Sequence, residues 1–105
     1  MDRLTDELMG RPSLVGDRCA VCGRPATNAH HVVMKGAGGV SRETDARIPR
    51  ISLCGMGNCS GCHGLAHSRR LHFRWRGRWE WLYTPEPVKY QEALGMEGWR
   101  KSWME

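Results

Sequence analysis

The amino-acid sequence predicts a small α+β domain held together by a bound metal, and three observations lead to this prediction. The chain has 105 residues and an apolar fraction of 40%, below the roughly 45–50% of ordinary globular domains. A chain of this size buries only a modest core and often needs a disulfide or a metal as a staple. Short helix-like and strand-like segments are mixed along it, and its cysteines and most of its histidines crowd between residues 19 and 67. We therefore expect residues 1–105 to form one domain.

Residues 1–70 contain four predicted elements. Residues 2–9 favour a short helix, which Gly10 and Pro12 would end. Residues 29–34 and 47–53 carry β-branched and apolar side chains typical of strands, and the glycines between them predict a flexible loop. A further helix is expected over residues 61–70.

Residues 71–83 predict a β-hairpin with two alternative registers. A two-residue turn at Gly77–Arg78 suits the preference for glycine at the first position of a type II′ turn. A three-residue loop over Arg76–Arg78 would instead put Arg74 opposite Glu80 and would create one continuous apolar face. That face would contain Leu71, Phe73, Trp75, Trp79, Trp81 and Tyr83. We favour the three-residue loop, because a continuous apolar face contributes more than one turn preference.

The remaining residues, 86–105, are predicted to be a C-terminal helical segment. A helix over residues 87–94 would have proline at its first position and Gly95 as its stop. The last ten residues are expected to add a turn packed through Trp99 and Trp103.

The cysteines predict a structural zinc site. The N-terminal residues 1–7 contain acids and no apolar run, so no secretory signal is expected, and we expect a cytoplasmic protein whose thiols stay reduced. Paired Cys-x2-Cys spacings then favour metal over disulfides. Three ligands are expected to be Cys19, Cys22 and Cys62. Cys54 or Cys59 would be the fourth, and we favour Cys54 because it ends the second predicted strand.

The histidines predict a second, separate metal site. Cys62 and His63 are consecutive and would point about 100° apart on a helix, so one ion can hardly take both. His63 and His67 are four residues apart and share a helical face. His30 and His31 are consecutive on a strand, where side chains alternate. A metal with few protein ligands keeps open positions for water and a phosphate oxygen, which favours a catalytic role.

Basic residues predict a nucleic-acid-binding surface. The net charge is +5, and the segment 69–79 contains five arginines and no acid, a distribution typical of polyanion-binding faces. The candidate DNA-binding residues are Lys35, Arg69, Arg70, Arg74, Arg76 and Arg78.

These motifs together resemble the HNH endonuclease family, whose core is a ββα-metal fold. The resemblance covers residues 18–70. It rests on Cys19-x2-Cys22, on Ala29-His30-His31-Val32-Val33 with Lys35 and Gly38-Gly39, on Ile51-Ser52-Leu53-Cys54, and on Cys62-His63-Gly64-x2-His67. It implies a zinc-stapled ββα-metal core with the hairpin 71–84 and short helices added, of the compact kind that bacteriophages and bacteria often encode.

The resemblance also implies residue roles. His30 and His63 correspond to ligands of the catalytic divalent metal, His67 to a further ligand or phosphate contact, and His31 to the general base. The family's usual asparagine, which braces the loop that carries the base, is replaced here by Pro49.

The expected function is that of a metal-dependent DNA endonuclease or nickase. Its structural ion would be Zn²⁺ and its catalytic ion a divalent metal such as Mg²⁺, Mn²⁺, Ni²⁺ or Zn²⁺. Its partner would be DNA, most often double-stranded, inside a bacterial host cell, and no membrane partner is expected because no stretch approaches the roughly 18 apolar residues of a span. The alternative is a catalytically weak or inactive zinc-stabilised module that binds nucleic acid or protein; a small protein inhibitor is a third interpretation. The oligomeric state stays open.

Overall fold

Short helices and strands form two small antiparallel sheets in the computed structural model, which describes residues 7–33, 42–56 and 59–104. In chain order the elements are β1 (Asn28–His31), α1 (Arg42–Arg47), β2 (Arg50–Leu53), α2 (Gly61–His67), β3 (Leu71–Trp75), β4 (Trp79–Tyr83), α3 (Tyr90–Leu94) and β5 (Arg100–Lys101). The predicted α+β class is confirmed. None of the helices within these ranges is long and apolar enough to cross a bilayer.

The first sheet pairs β1 with β2 in antiparallel register. His30 lies opposite Ile51, and His31 lies opposite Arg50. Ile51 and Leu53 are completely buried, because the preceding chain covers β2: the Ala20 N–H donates a 2.9 Å hydrogen bond to the Ser52 carbonyl. This strand therefore carries the core beneath both predicted metal sites.

Both strands are shorter than predicted. Val32 and Val33 follow β1 rather than belong to it, and residue 34 lies outside the described residues. The prediction that strand structure begins at Arg47 is wrong, since Arg47 ends helix α1. Pro49 lacks an N–H for a sheet and is followed directly by β2. Helix α1 itself was not predicted.

Helix α2 ends three residues before its predicted end because Arg69 adopts a left-handed conformation, with φ of 63°. The Arg69 N–H donates to the Ala66 carbonyl, and the Arg70 N–H donates to the Leu65 carbonyl at 2.9 Å. This is the hydrogen-bond pattern of a Schellman helix end, in which glycine usually occupies the left-handed position. An arginine there gives no sequence signal for the stop.

The second sheet has the strand order β3-β4-β5. Trp75 pairs with Trp79, so the predicted three-residue loop is confirmed. Arg74 pairs with Glu80 as predicted, and their side chains form a 2.7 Å ion pair. On the apolar face of the hairpin, Leu71, Phe73 and Trp79 are buried, Trp75 and Trp81 are half-buried, and Tyr83 is exposed.

The C-terminal segment differs from its prediction. Helix α3 begins at Tyr90 rather than at residue 87, although it stops before Gly95 as expected. The prediction of a helical segment over residues 86–105 is wrong in part, because Arg100 and Lys101 form β5 and pair with β4. Of the two tryptophans expected to pack here, Trp99 is half-buried and its Nε1 donates to the Ala93 carbonyl. Trp103 is exposed, although its Nε1 donates to the Cys19 carbonyl.

At the N-terminus, Glu7 and Leu8 are helical and Leu8 is buried. The rest of the helix predicted over residues 2–9 lies outside the described residues, as do Gly36, Gly38 and Gly39 of the predicted loop.

Candidate metal centres

Four cysteines lie close together at one end of the first sheet. Single sulfur atoms of Cys19, Cys22, Cys54 and Cys62 all lie within 4.8 Å of one another. The Sγ atoms of Cys22 and Cys54 are 3.5 Å apart. Four thiolates at about 2.3 Å from a tetrahedral zinc ion stand about 3.8 Å apart, so the spacing fits such an ion with small adjustments. The cluster could therefore hold a metal.

Cys54 reaches this cluster because the loop that follows it folds back on itself. Gly55 has φ of 120° and Gly61 has φ of 61°. A Cβ atom on Gly61 would stand 2.6 Å from the Gly55 Cα and 2.7 Å from the Cys54 carbonyl oxygen. No side chain fits between these backbones, so glycine at both positions lets the loop bring Cys54 and Cys62 together. The close approach of the two glycine backbones is a tertiary contact, which the spacing of residues along the sequence does not reveal.

The remaining cysteine, Cys59, lies within that loop. It is exposed and does not belong to the cluster. By contrast, the Cys54 sulfur accepts a hydrogen bond from the buried Cys62 N–H at 3.4 Å. The structure thus places Cys54, the ligand favoured from the sequence, in the sulfur cluster, and it leaves the alternative ligand, Cys59, outside that cluster.

Hydrogen bonds between sulfur atoms give the thiols of this cluster different pKa values. The hydrogen bond from the Cys62 thiol, helped by nearby backbone N–H groups, lowers the pKa of Cys19 to about 4 against the opposing effect of burial. The same bond and burial raise the pKa of Cys62. Burial also raises the pKa of Cys22. One thiolate is therefore favoured even without a cation, and a cation would draw off the other protons.

Three histidines form a second cluster between β1 and α2. Single ring nitrogens of His30, His63 and His67 lie within 4.8 Å of one another. The Nε2 atoms of His63 and His67 are 3.1 Å apart, and the ring centroid of His30 is 5.0 Å from that of His63 and 5.3 Å from that of His67. His30 and His63 are buried, whereas His67 is partly exposed. The arrangement could hold one cation and leaves it accessible from the side of His67.

Burial favours the neutral form of His30 and His67. It lowers the pKa of His30 to about 3, and the neighbouring charges of His63, His67 and His31 add to the effect. Burial also lowers the pKa of His67, again with a contribution from His63. Neutral imidazole is the form that binds metals, so the lowered pKa values favour metal binding over protonation at this site.

His31 is not part of the three-histidine cluster. It follows His30 on β1, where successive side chains alternate between faces, and it is half-buried. Its charge nevertheless acts on the pKa of His30. His31 therefore lies beside the cluster without joining its ligand set.

The junction of Cys54 with helix α2 keeps the two clusters apart. The His63 N–H donates to the Cys54 carbonyl at 3.0 Å, while the adjacent Cys62 N–H bonds to the Cys54 sulfur. Cys62 and His63 thus belong to different clusters, as the 100° step between helical neighbours predicts. His63 and His67 share one face.

Pro49, which stands where the resemblance would place an asparagine, is fully buried. Pro49 has no polar side chain, but its carbonyl accepts a 3.0 Å hydrogen bond from the Val32 N–H. The chain just after His31 is therefore tied to the start of β2 through backbone atoms.

The candidate DNA-binding residues lie in different surroundings. Arg76 and Arg78 are exposed at the hairpin loop, and Arg69 is exposed at the end of α2. The Arg74 guanidinium binds Glu80 and lies 4.5 Å from the ring centroid of Trp99, so it supports the sheet rather than standing free. The Arg70 side chain donates to the Tyr83 hydroxyl at 3.0 Å. Lys35 lies outside the described residues.

Comparison with known proteins gives no independent assignment: no family model matches the chain, and neither a curated protein nor a solved structure does.

Proposed function

We propose that the chain is a metal-dependent nuclease of the HNH type that hydrolyses phosphodiester bonds in DNA. The observation that carries this proposal is the convergence of His30, His63 and His67 on one point beside a separate thiolate cluster. A cation held by few neutral ligands in a partly exposed position is the arrangement of a catalytic metal, whereas four thiolates around one ion form a closed structural site.

The thiolate cluster is proposed to bind zinc. Sulfur ligands select zinc over the harder cations, and a domain this small gains folding free energy from a structural ion. The cluster connects the segment around Cys19 with the end of β2 and the start of α2. Zinc there would fix the helix that carries His63 and His67.

At the histidine cluster, a divalent ion such as Mg²⁺, Mn²⁺, Ni²⁺ or Zn²⁺ would stabilise negative charge on the phosphate and on the leaving oxygen. The protein's own contribution is a general base. His31 lies beside the cluster but outside it, and a neutral imidazole nitrogen can accept a proton from an attacking water. The exposed Arg69, Arg76 and Arg78 would contact flanking phosphates.

Plasmid cleavage in the presence of Mg²⁺, Mn²⁺, Ni²⁺ or Co²⁺ tests the proposal. We expect nicking or linearisation by the zinc-loaded chain and a loss of roughly 100-fold or more in His31→Ala. Zinc content and the unfolding midpoint of His31→Ala should equal those of the parent, which shows that the fold persists. A pure zinc-loaded sample that cuts neither single-stranded nor double-stranded nucleic acid with any of these ions would overturn the nuclease and favour the binding module.

A further inference from the structure

We infer that the cleft beside the histidine cluster binds one unpaired nucleotide of the nucleic-acid strand. The cleft has a volume of about 580 Å³ and lies between β1, α2, β3 and α3. This volume falls within the roughly 300–1,000 Å³ of small-ligand sites. The inference rests on the proposed function, since it names the form of the strand that this site takes.

The cleft is continuous with the histidine cluster. His30 and His67 line both, and the ring centroid of His30 lies 6.4 Å from that of Phe73 on the cleft wall. A phosphate held at the imidazoles would therefore have its own nucleoside, or the adjacent one, within reach of the cleft.

Aromatic rings supply surfaces for a base. His72 and Tyr90 line the cleft with ring centroids 6.2 Å apart and planes inclined by 33°. Burial raises the pKa of Tyr90 to about 12, so the phenol stays protonated. Within the described residues its hydroxyl has no hydrogen-bond partner, which leaves a polar group available at the wall. Base–aromatic stacking is how single strands are commonly held, and every base has a face that can stack.

The charge of the cleft suits a phosphate. Arg69 and Lys89 are exposed lining residues, and none of the described residues that line the cleft is acidic. Arg69 is also held in place: its carbonyl accepts hydrogen bonds from His72 Nε2 at 2.8 Å and from the Val88 N–H at 3.1 Å. Its left-handed backbone is less favourable for arginine than it would be for glycine, and the strained position places a positive charge at the mouth of the cleft.

A duplex cannot present a base to this cleft without unstacking it, which costs a few kcal/mol per nucleotide and least for a base that is already unpaired. The preferred strand is therefore single-stranded, or carries a mismatch, flap or bubble at the site of cleavage.

Binding of small probes to the zinc-loaded full chain tests the inference without requiring catalysis. 2-Deoxyribose 5-phosphate carries a hydroxyl where thymidine 5′-monophosphate carries its base, and NMR titration measures both affinities. We expect the nucleotide to bind at least about tenfold more tightly and to shift the resonances of His72, Phe73 and Tyr90. Equal affinities for the two probes, or resonance shifts confined to Arg74, Arg76 and Arg78 of the hairpin, would overturn the cleft as the binding site. A titration with uridine 5′-monophosphate shows whether an RNA nucleotide is accepted as well.

Two variants separate the base from the phosphate. Tyr90→Leu should weaken the binding of thymidine 5′-monophosphate and leave the affinity for 2-deoxyribose 5-phosphate unchanged. Arg69→Gly should weaken both probes several-fold while the unfolding midpoint holds or rises, because glycine tolerates φ of 63°. An Arg69→Gly chain that binds as the parent does would show that the arginine has no role in the site.

Cleavage distinguishes the two proposals from each other. A duplex with a central bubble should be cut at least tenfold faster than the matched perfect duplex. Equal rates would overturn the cleft and leave the nuclease standing, whereas selective nucleotide binding without any cleavage would overturn the nuclease alone.

Discussion

The backbone of Gly61 lies against that of Gly55, so that a Cβ on Gly61 would stand 2.6 Å from the Gly55 Cα. This contact closes the loop between Cys54 and Cys62 and makes both sulfurs available to one cluster. Because α2 begins at Gly61, the same contact sets the start of the helix that carries His63 and His67. The loop closure therefore connects the two candidate metal centres.

Gly61→Ala should destabilise the zinc-loaded protein by about 2–4 kcal/mol, since it adds backbone clashes to a left-handed conformation. Gly77→Ala is the matched control. Gly77 has φ of 75°, and nothing lies within 4 Å of an added Cβ. Its substitution should therefore cost only about 1 kcal/mol, from the left-handed backbone alone. Urea unfolding measures both, and equal losses would mean that the Gly55–Gly61 contact has no special role.

Cys54→Ser should remove tight zinc binding, whereas Cys59→Ser should keep it. Only the first residue belongs to the sulfur cluster, and the second is exposed. Metal analysis after dialysis against a weak chelator should give about one zinc per chain for Cys59→Ser and almost none for Cys54→Ser. The reverse result would make Cys59 the fourth ligand.

Ser102, which directly follows β5, should stabilise the segment that carries Cys19. Ser102 is buried, and its Oγ donates to the Ala20 carbonyl at 2.7 Å. Ser102→Ala leaves that carbonyl without this donor, which should cost about 1–3 kcal/mol and speed the loss of zinc to a chelator. Ser68→Ala is the control, because its hydroxyl bonds an exposed helix end and should cost under about 0.5 kcal/mol. Equal effects of the two substitutions on stability and zinc release would contradict the role of Ser102.

Sequence reasoning succeeded where short-range spacing or alternation fixes geometry. The pair His63 and His67, four residues apart, and the pairing of Arg74 with Glu80 both follow from the period of a helix or strand. The clustering of Cys54 with Cys62 was expected, but its cause was not, because it depends on backbone approach between two glycines rather than on a motif.

The errors lie where tertiary contacts override local preference. Nothing in Arg69 predicts a left-handed helix stop, so α2 was extended too far. Strand β5 has two residues, Arg100 and Lys101, and forms because the edge of β4 accepts them. The cleft beside the histidines was missed for the same reason: Tyr90 meets His72 only after α3 packs against β3.

Stability should depend on pH through His72, which lies outside both clusters. Burial lowers the pKa of His72, opposed by its hydrogen bond to the Arg69 carbonyl. A histidine with a lowered folded pKa is neutral in the fold and takes up a proton on unfolding, so its contribution is present above its unfolded pKa near 6.5 and is lost as the pH falls below that value. Glutamine can donate to the same carbonyl but does not titrate. Urea unfolding of the zinc-loaded chain at pH 7.5 and 5.5 measures this effect. The free energy of unfolding should fall less between the two pH values in His72→Gln than in the parent. Because both proteins hold zinc in the same way, the pH dependence of zinc binding cancels in the comparison. Equal losses would mean that His72 is protonated as readily in the fold as in the unfolded chain.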